Sequence, residues 1–258
     1  MGIYQHYRKE EHSFIDQVLS WQEYVKTRYQ AKLTDFLDPR EQQIVESVIG
    51  KTNDEIQLRI HSGTEHLERK RLIIAPFYED VTDTSFRLTL MQATYNEKFI
   101  SLLHRDVMGA FLSLGITRDK LGDIFVTAGH IQIMMAEEIA NYVSMNLTTI
   151  KNANISLTEE PITKLLEKEM DWIETDTTVS SLRLDTVLSE IYKMSRKEAS
   201  AYIKKKQVKV NFKLVVDPKF LLYAGDLISV RGKGRSKFVA MNGETRKNKQ
   251  RITVARLK

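Results

Sequence analysis

The stretch RLDTVLSEIYKMSRKEASAYIKKKQVKVN, residues 183–211, carries eight Lys or Arg side chains against three acids and ends in an alternating run. Leu184, Val187, Leu188 and Ile191 recur at helical spacing, so its first part reads as a short amphipathic helix. Ser195 with Glu198 three residues on is a capping-box signature, and it starts a second helix that abuts the first at Lys193-Met194. On this second helix Ala199, Tyr202 and Ile203 turn inward, leaving Arg196, Lys197, Lys204 and Lys205 on the outer faces with Lys206 at the end. The run VKVN then reads as a strand. Helix, helix, strand, with cations gathered outward and few acids to neutralise them, suits a surface that holds a polyanion.

Downstream, short strands in KLVVDP and GDLISVRGKGR are separated by turns at residues 211–213 and at Gly225-Asp226. A final hairpin pairs KFVAM with RITVARL through a loop that begins Asn242-Gly243. Arg231, Lys233 and Arg235 alternate with two glycines, a turn in which bare backbone can approach an anion between three cations. It lacks the lysine-serine pair of a nucleotide-binding glycine loop, and no GxGxxG opens a helix.

The charge of the whole chain sharpens this reading. Residues 181–258 hold 13 Lys and 7 Arg against 6 acids, a balance of +14, whereas residues 1–180 hold 19 basic and 28 acidic side chains, a balance of −9. The net +5 thus conceals a positive last third, as expected of a nucleic-acid-binding domain joined to less basic ones. At 258 residues, 42% hydrophobic and 28% charged, the chain suits two or three small globular domains. It contains no cysteine, which excludes disulfides, Cys-ligated metals and thiol catalysis. The polar, aromatic start lacks a signal-peptide core, and no apolar run reaches the roughly 20 residues of a membrane span, so a cytoplasmic protein without a membrane partner is expected.

The first segment predicts an amphipathic helix from about His12 to Arg28, with Phe14, Val18, Trp21 and Val25 on one stripe beside Ile15 and Leu19. LDPREQQIVESVIG predicts a second, with Asp38 as N-cap, Pro39 at the first helical position, Glu41 at the third and Gly50 past the end. IQLRI and RLIIAPF read as strands, and the cluster Arg69, Lys70, Arg71, interleaved with Glu65 and Glu68, reads as a solvated face. From residue 85 the order is strand (SFRLTLMQATY), helix closing on Gly115, two strands around Ala128-Gly129, helix (AEEIANYVSMNL) and a last strand in NANISLT. This β-α-β-β-α-β order is shared by RNA-recognition motifs and many unrelated domains. GHIQIMM offers no aromatic for stacking a base, which favours an architectural or protein-contact role. Residues 159–180 are acidic, irregular in period and read as a connector with one short helix.

Little in the chain suggests catalysis. HRD at residues 104–106 lacks the Asn that a kinase catalytic loop needs five positions later, where Phe111 stands, so His104 and Asp106 are expected to cap or pair on a helix. The six histidines show no paired ligand spacing, and neither a metal nor a cofactor is expected. Asp185 sits at a helix start, where a carboxylate is favourable to the dipole and can position Arg183.

Arg183-Leu184-Asp185 with Leu188, Ser195-Arg196 with Ala199, Val208-Lys209-Val210-Asn211, Pro218, Gly225-Asp226 and Ile228-Ser229-Val230 together resemble the S4 RNA-binding domain. One departure is Gln207, where that domain usually has glycine before the strand. KLTDFLDPREQ, GTEHLERKR, HRDVMGAFLSLG, GDIFV, EEIANYV and VSSLRLD, in that order, extend the likeness over nearly the whole chain to the YlmH family of bacterial S4-domain proteins. The resemblance implies an α+β multidomain protein: an N-terminal α/β domain (1–78), an RRM-like βαββαβ domain (79–158), a linker (159–180) and an S4 domain (181–258). It implies a non-enzymatic factor that binds 23S rRNA and tRNA on the 50S ribosomal subunit and supports, with other quality-control factors, the alanine tailing of stalled nascent chains; a monomer is expected because no heptad or obvious apolar edge stands out. An S4-anchored RNA-modifying enzyme and a cell-division adaptor are the alternatives. An S4 surface meets folded RNA mainly through phosphates. The candidate contacts are Arg183, Arg196, Lys197, Lys204, Lys205, Lys206 and Lys209, with Asp185 positioning and Ser195 and Asn211 hydrogen-bonding at the same surface. Arg231, Lys233 and Arg235 form a second patch.

Overall fold

The computed structural model describes residues 3–7, 9–50, 55–64, 66–166, 171–246 and 248–257. The chain divides into two compact units, residues 1–168 and 169–258.

In the first unit, α1 (His12–Arg28) buries Ile15, Val18 and Val25 along the expected stripe. After the short strand β1 (Lys32–Leu33), α2 (Pro39–Ile49) begins at Asp38. The Asp38 carboxylate accepts from the Arg40 and Glu41 amides, and Glu41 returns the bond to the Asp38 amide, so the full capping box forms. Strands β2 (Ile56–His61) and β3 (Arg71–Pro76) pair antiparallel, and β1 joins the other side of β3. Val18, Val25, Val45, Ile49, Leu72 and Ile74 form the core beneath the helices. Every residue of β3 is buried, because Ile73 and Ala75 pack on the opposite side with Phe86.

The same unit continues through β4 (Leu88–Thr94), α3 (His104–Ser113), β5 (Leu121–Thr127), β6 (His130–Ala136) and α4 (Glu137–Asn146), in the expected order. The expected last strand differs. Residues 149–154 form a two-stranded hairpin, β7 (Thr149–Ile150) with β8 (Ala153–Asn154), and the strand that joins the sheet is β9 (Thr158–Glu160). The sheet order is β5-β6-β4-β9, all neighbours antiparallel. Helices α3 and α4 cover one face with Val107, Phe111 and Val143 against Met91, Ile131 and Ile133. Asp106 accepts from the Leu103 amide at 2.9 Å and pairs with Lys151 at 2.7 Å, the capping and pairing expected of it.

The other face of this sheet is closed by the chain itself. Phe36, Leu67, Ile162, Leu165 and Leu166 pack on Leu90, Phe125 and Met134. Gly122 lies so close beneath Phe36 that a Cβ there would stand 2.8 Å from the ring and 3.0 Å from the Met134 Cβ. Gln132, 1% exposed, donates to Gln92 and to the Lys164 carbonyl and accepts from the Leu166 amide, which pins residues 164–166 over the sheet. The Asp123 carboxylate holds the Glu68 and Arg69 amides in the same way. These contacts lie within the compact unit of residues 1–168.

The solvated basic face expected around residues 69–71 is also corrected. Arg71 is buried, with its guanidinium donating to the Thr34, Phe86 and Arg87 carbonyls and lying beside Glu138. Arg69 donates to the Phe36 and Leu121 carbonyls. Both arginines satisfy backbone acceptors that the packing removes from water, which is why they point inward. Glu65 lies outside the described residues.

The second unit opens with β10 (Trp172–Val179), all eight residues of which pair with the last strand, so most of the expected connector belongs to folded units. Helices α5 (Leu184–Ile191) and α6 (Arg196–Lys204) follow, then β11 (Val208–Val210), β12 (Lys213–Leu214), β13 (Leu227–Val230), β14 (Gly234–Glu244) and β15 (Gln250–Leu257). The sheet order is β10-β15-β14-β13-β11-β12. Val187, Leu188, Ile191, Ala199 and Ile203 pack against Val208, Val210, Ile228, Phe238 and Val254. Asn211 and Phe212, both at positive φ (47° and 65°), make the two-residue turn between β11 and β12. The turn before β11 is closed by Lys206 at φ 59°, with the Gln207 amide donating to the Tyr202 carbonyl, so no glycine is required at Gln207. The last hairpin does not turn at Asn242-Gly243: both residues lie within β14 at a register shift, and the Thr245 amide donates to the Lys249 carbonyl beyond them.

Candidate nucleic-acid interface

The first turn of α5 places Asp185 where its carboxylate is 5% exposed. A buried carboxylate is costly unless paired, and here three guanidinium N–H groups answer it. Arg183 donates through Nε (3.1 Å) and Nη2 (3.0 Å), and Arg196, at the start of α6, donates through Nη2 (3.0 Å). Thr186 Oγ1 adds a fourth bond at 3.2 Å. Burial works to raise the Asp185 pKa, but the bonds from Arg183 and Arg196 outweigh it and hold the carboxyl below the usual aspartate range. Asp185 therefore stays ionised and fixes two arginines from neighbouring helix starts.

Those arginines remain available to solvent. The Arg196 side chain is 53% exposed and that of Arg183 31%. Arg196 commits one of its five N–H groups to Asp185, which leaves four for other acceptors. Ser195 caps α6 by accepting from the Glu198 amide at 3.1 Å, the first half of the expected capping box, and its hydroxyl proton is left to donate. Lys197 and Lys204 are exposed on the outer side of the same helix.

The candidate residues do not share one face. At 100° per residue, Glu198, Tyr202 and Lys205 fall on the flank of α6 opposite Arg196. There they line a cleft of about 360 Å³ with Ala201, Gln207 and Arg231. Lys233 projects from the glycine turn, with Nζ 5.9 Å from the Tyr202 ring centroid. Tyr202 packs against the core, as expected, and its half-buried ring also lines this cleft. Lys209 and Arg235 lie on a third surface. The alternation of β11 buries Val208 and Val210, and Lys209 stands on the other side in register with Ser229, itself paired with Arg235. Arg235 lies 6.0 Å from the Phe212 ring centroid and Lys237 4.4 Å from that of Trp172. Lys206 sits at the C-terminal end of α6. The Asn211 side chain is engaged locally: its oxygen accepts from the Leu227 amide (2.9 Å) and its nitrogen donates to Asp226 (2.7 Å). Sequence reasoning missed the aromatic partners Tyr202, Phe212 and Trp172, although the strand alternation that separates Lys209 from the helices was readable in VKVN.

Among the described residues no helix is long and apolar enough to cross a membrane. Residues 82–164 match a family model described as a putative RNA-binding domain in YlmH, and residues 182–228 match the S4 domain. The chain is 39% identical over 256 residues, 99% of each chain, to the "Ribosome-associated protein quality control protein P2" of Bacillus subtilis (strain 168). Among solved structures it is similar to the "Cell division protein ylmH from Streptococcus pneumoniae", with a TM-score of 0.55 and 25% identity, covering 64% of this chain and all of that one. With likeness running the full length of a relative, and an arginine-bearing S4 unit following the matched middle segment, the chain belongs to the YlmH family of S4-domain RNA-binding proteins.

Proposed function

We propose that the protein is a non-enzymatic cytoplasmic factor that binds the 50S ribosomal subunit as a monomer, contacts 23S rRNA and peptidyl-tRNA through its S4 unit, and supports alanine tailing of stalled nascent chains. The observation that carries this reading is the Asp185 clamp. It presents Arg183 and Arg196 together beside exposed Lys197 and Lys204, an arrangement suited to adjacent phosphates. The name of the Bacillus relative supplies the ribosome and the quality-control process. A nucleophilic role for Asp185, of the kind some pseudouridine synthases give an Arg-Leu-Asp aspartate, is disfavoured by its burial and by the arginines that occupy its oxygens.

The test is co-sedimentation with purified 50S subunits, with and without peptidyl-tRNA, for wild type and Arg183→Ala/Arg196→Ala/Lys197→Ala. Six to ten phosphate contacts make wild-type affinity fall by roughly 10³ to 10⁵ between 50 and 200 mM salt, taking the duplex relation as a guide. The expected result is salt-sensitive binding that favours the tRNA-bearing subunit and is lost in the variant. Equal binding by wild type and variant defeats the reading and returns the function to the first unit, as an adaptor role requires.

A further inference from the structure

The cleft between α6 and the Arg231–Arg235 turn has a composition unlike the Asp185 clamp. In the clamp the cations are tied to a carboxylate. Lys205 and Arg231 line the cleft without an ion pair among the described residues, and the Tyr202 hydroxyl and Gln207 side-chain amide likewise make no hydrogen bond there. Its fixed charges are Lys205, Arg231 and the adjacent Lys233 against Glu198, a balance of two positive. The wall is an aromatic face whose electron-rich side already attracts a cation, Lys233. Gly232 and Gly234, at φ 78° and 89° with open space where a Cβ would be, form the arm on which Lys233 is carried. The backbone is fixed on both sides, the Arg231 amide donating to the Gln207 carbonyl at 2.9 Å and the Gln207 amide to the Tyr202 carbonyl at 3.1 Å.

Resting on the reading of this unit as RNA-binding, we propose that this cleft captures one unpaired ribonucleotide of the bound RNA, its base stacked on Tyr202 and its phosphate held between Lys205 and Arg231. An aromatic face, adjacent cations and a free amide are what an unstacked nucleotide offers partners for. A volume of about 360 Å³ suits one nucleotide and not a helix. The cleft lies on the same short helix as Arg196 and Lys197, so a strand whose phosphates follow the clamp stays within reach. Lys233 moves aside with its glycine arm or covers the base from above.

The test uses the full chain and a short single-stranded RNA carrying one 2-aminopurine, whose fluorescence is quenched on stacking. Wild type is expected to quench it saturably, and Tyr202→Leu to abolish the quench and weaken affinity by roughly tenfold. Tyr202→Phe and Tyr202→Trp are expected to retain the quench, which separates stacking from folding. Lys205→Ala/Arg231→Ala is expected to keep the quench but lower the log–log salt slope by about 1.4, two single-strand phosphate contacts. Unchanged quenching and affinity in Tyr202→Leu overturns the proposal. So does saturable quenching of free 2-aminopurine ribonucleoside monophosphate as tight as that of the RNA, which assigns the cleft to a free nucleotide. Because this readout needs no ribosome, the cleft can fail while 50S binding stands, and 50S binding can fail while the cleft quenches.

Discussion

The two β-sheets that the sequence offers to RNA are treated in opposite ways by the fold. The four-stranded sheet of residues 88–160 has the strand order of an RNA-recognition motif, yet its second face is buried beneath Phe36, Leu67 and Leu165. The arginines nearby, Arg69 and Arg71, are turned inward onto backbone carbonyls. The second unit buries one sheet face beneath α5 and α6 and keeps its cations outside. A shared element order thus fixes how strands pair but not which surface is free. The first unit uses charge as internal fastening, and the second as a surface.

The contrast can be broken most forcefully at Arg71. Arg71→Ala leaves the Thr34 and Phe86 carbonyls without their donor and Glu138 to Lys120 alone, and should cost about 2–4 kcal/mol of first-unit stability by denaturant unfolding, with RNA affinity at low denaturant unchanged. An unaltered midpoint would show that the fastening is idle. Next comes Gly122→Ala, whose Cβ must displace Phe36 or Met134. A loss of about 1–3 kcal/mol is expected in the same measurement, and none if the covering segment is loosely seated.

Asp185 links stability to pH in the second unit. Its folded pKa is depressed, so its contribution is fully present above the unfolded value, near about 3.9, and is lost as pH falls through the lower folded value. Wild type should lose second-unit stability on acidification below about pH 4. Asp185→Asn should be less stable at neutral pH, flatter in that window and weaker for RNA, because both arginines lose their anchor. The smallest effect is expected at Phe212, a bulky residue at positive φ. Phe212→Gly relieves backbone strain and should stabilise the unit by about 1 kcal/mol or less in thermal unfolding, unless the Arg235 contact offsets the gain.

What was legible in the sequence follows from where the determining contacts lie. Helix α2 could be read from Asp38, Pro39, Glu41 and Gly50 because capping is settled within one turn. Helix α6 was readable from Ser195 for the same reason, and α5 from the helical spacing of Leu184, Val187, Leu188 and Ile191. Strand β10, WIETDTTV, is polar and acidic and becomes a strand only because β15 offers a ladder nearly eighty residues away. The inward course of Arg71 is likewise decided by the carbonyls of Thr34, Phe86 and Arg87, none of them local on a helical or strand period. Asn242-Gly243 carried a genuine turn signal that the fold uses for a bulge inside β14, where Asn242 bonds Thr253 across the strands. For the candidate site, the arginine clamp was visible as residue types and spacing. Its division from the Tyr202 cleft and the Lys209 face needed the helix and strand directions together.

The most direct measurement is a map of protein–RNA crosslinks formed on purified 50S subunits, read peptide by peptide. Nucleotide-bearing peptides are expected from residues 183–205 and 231–235, and none from β4 or β6. Crosslinks concentrated on Leu90, Gln92, Gln132 or Met134 would mean that the closed sheet face opens to RNA, and would contradict the division of labour between the two units.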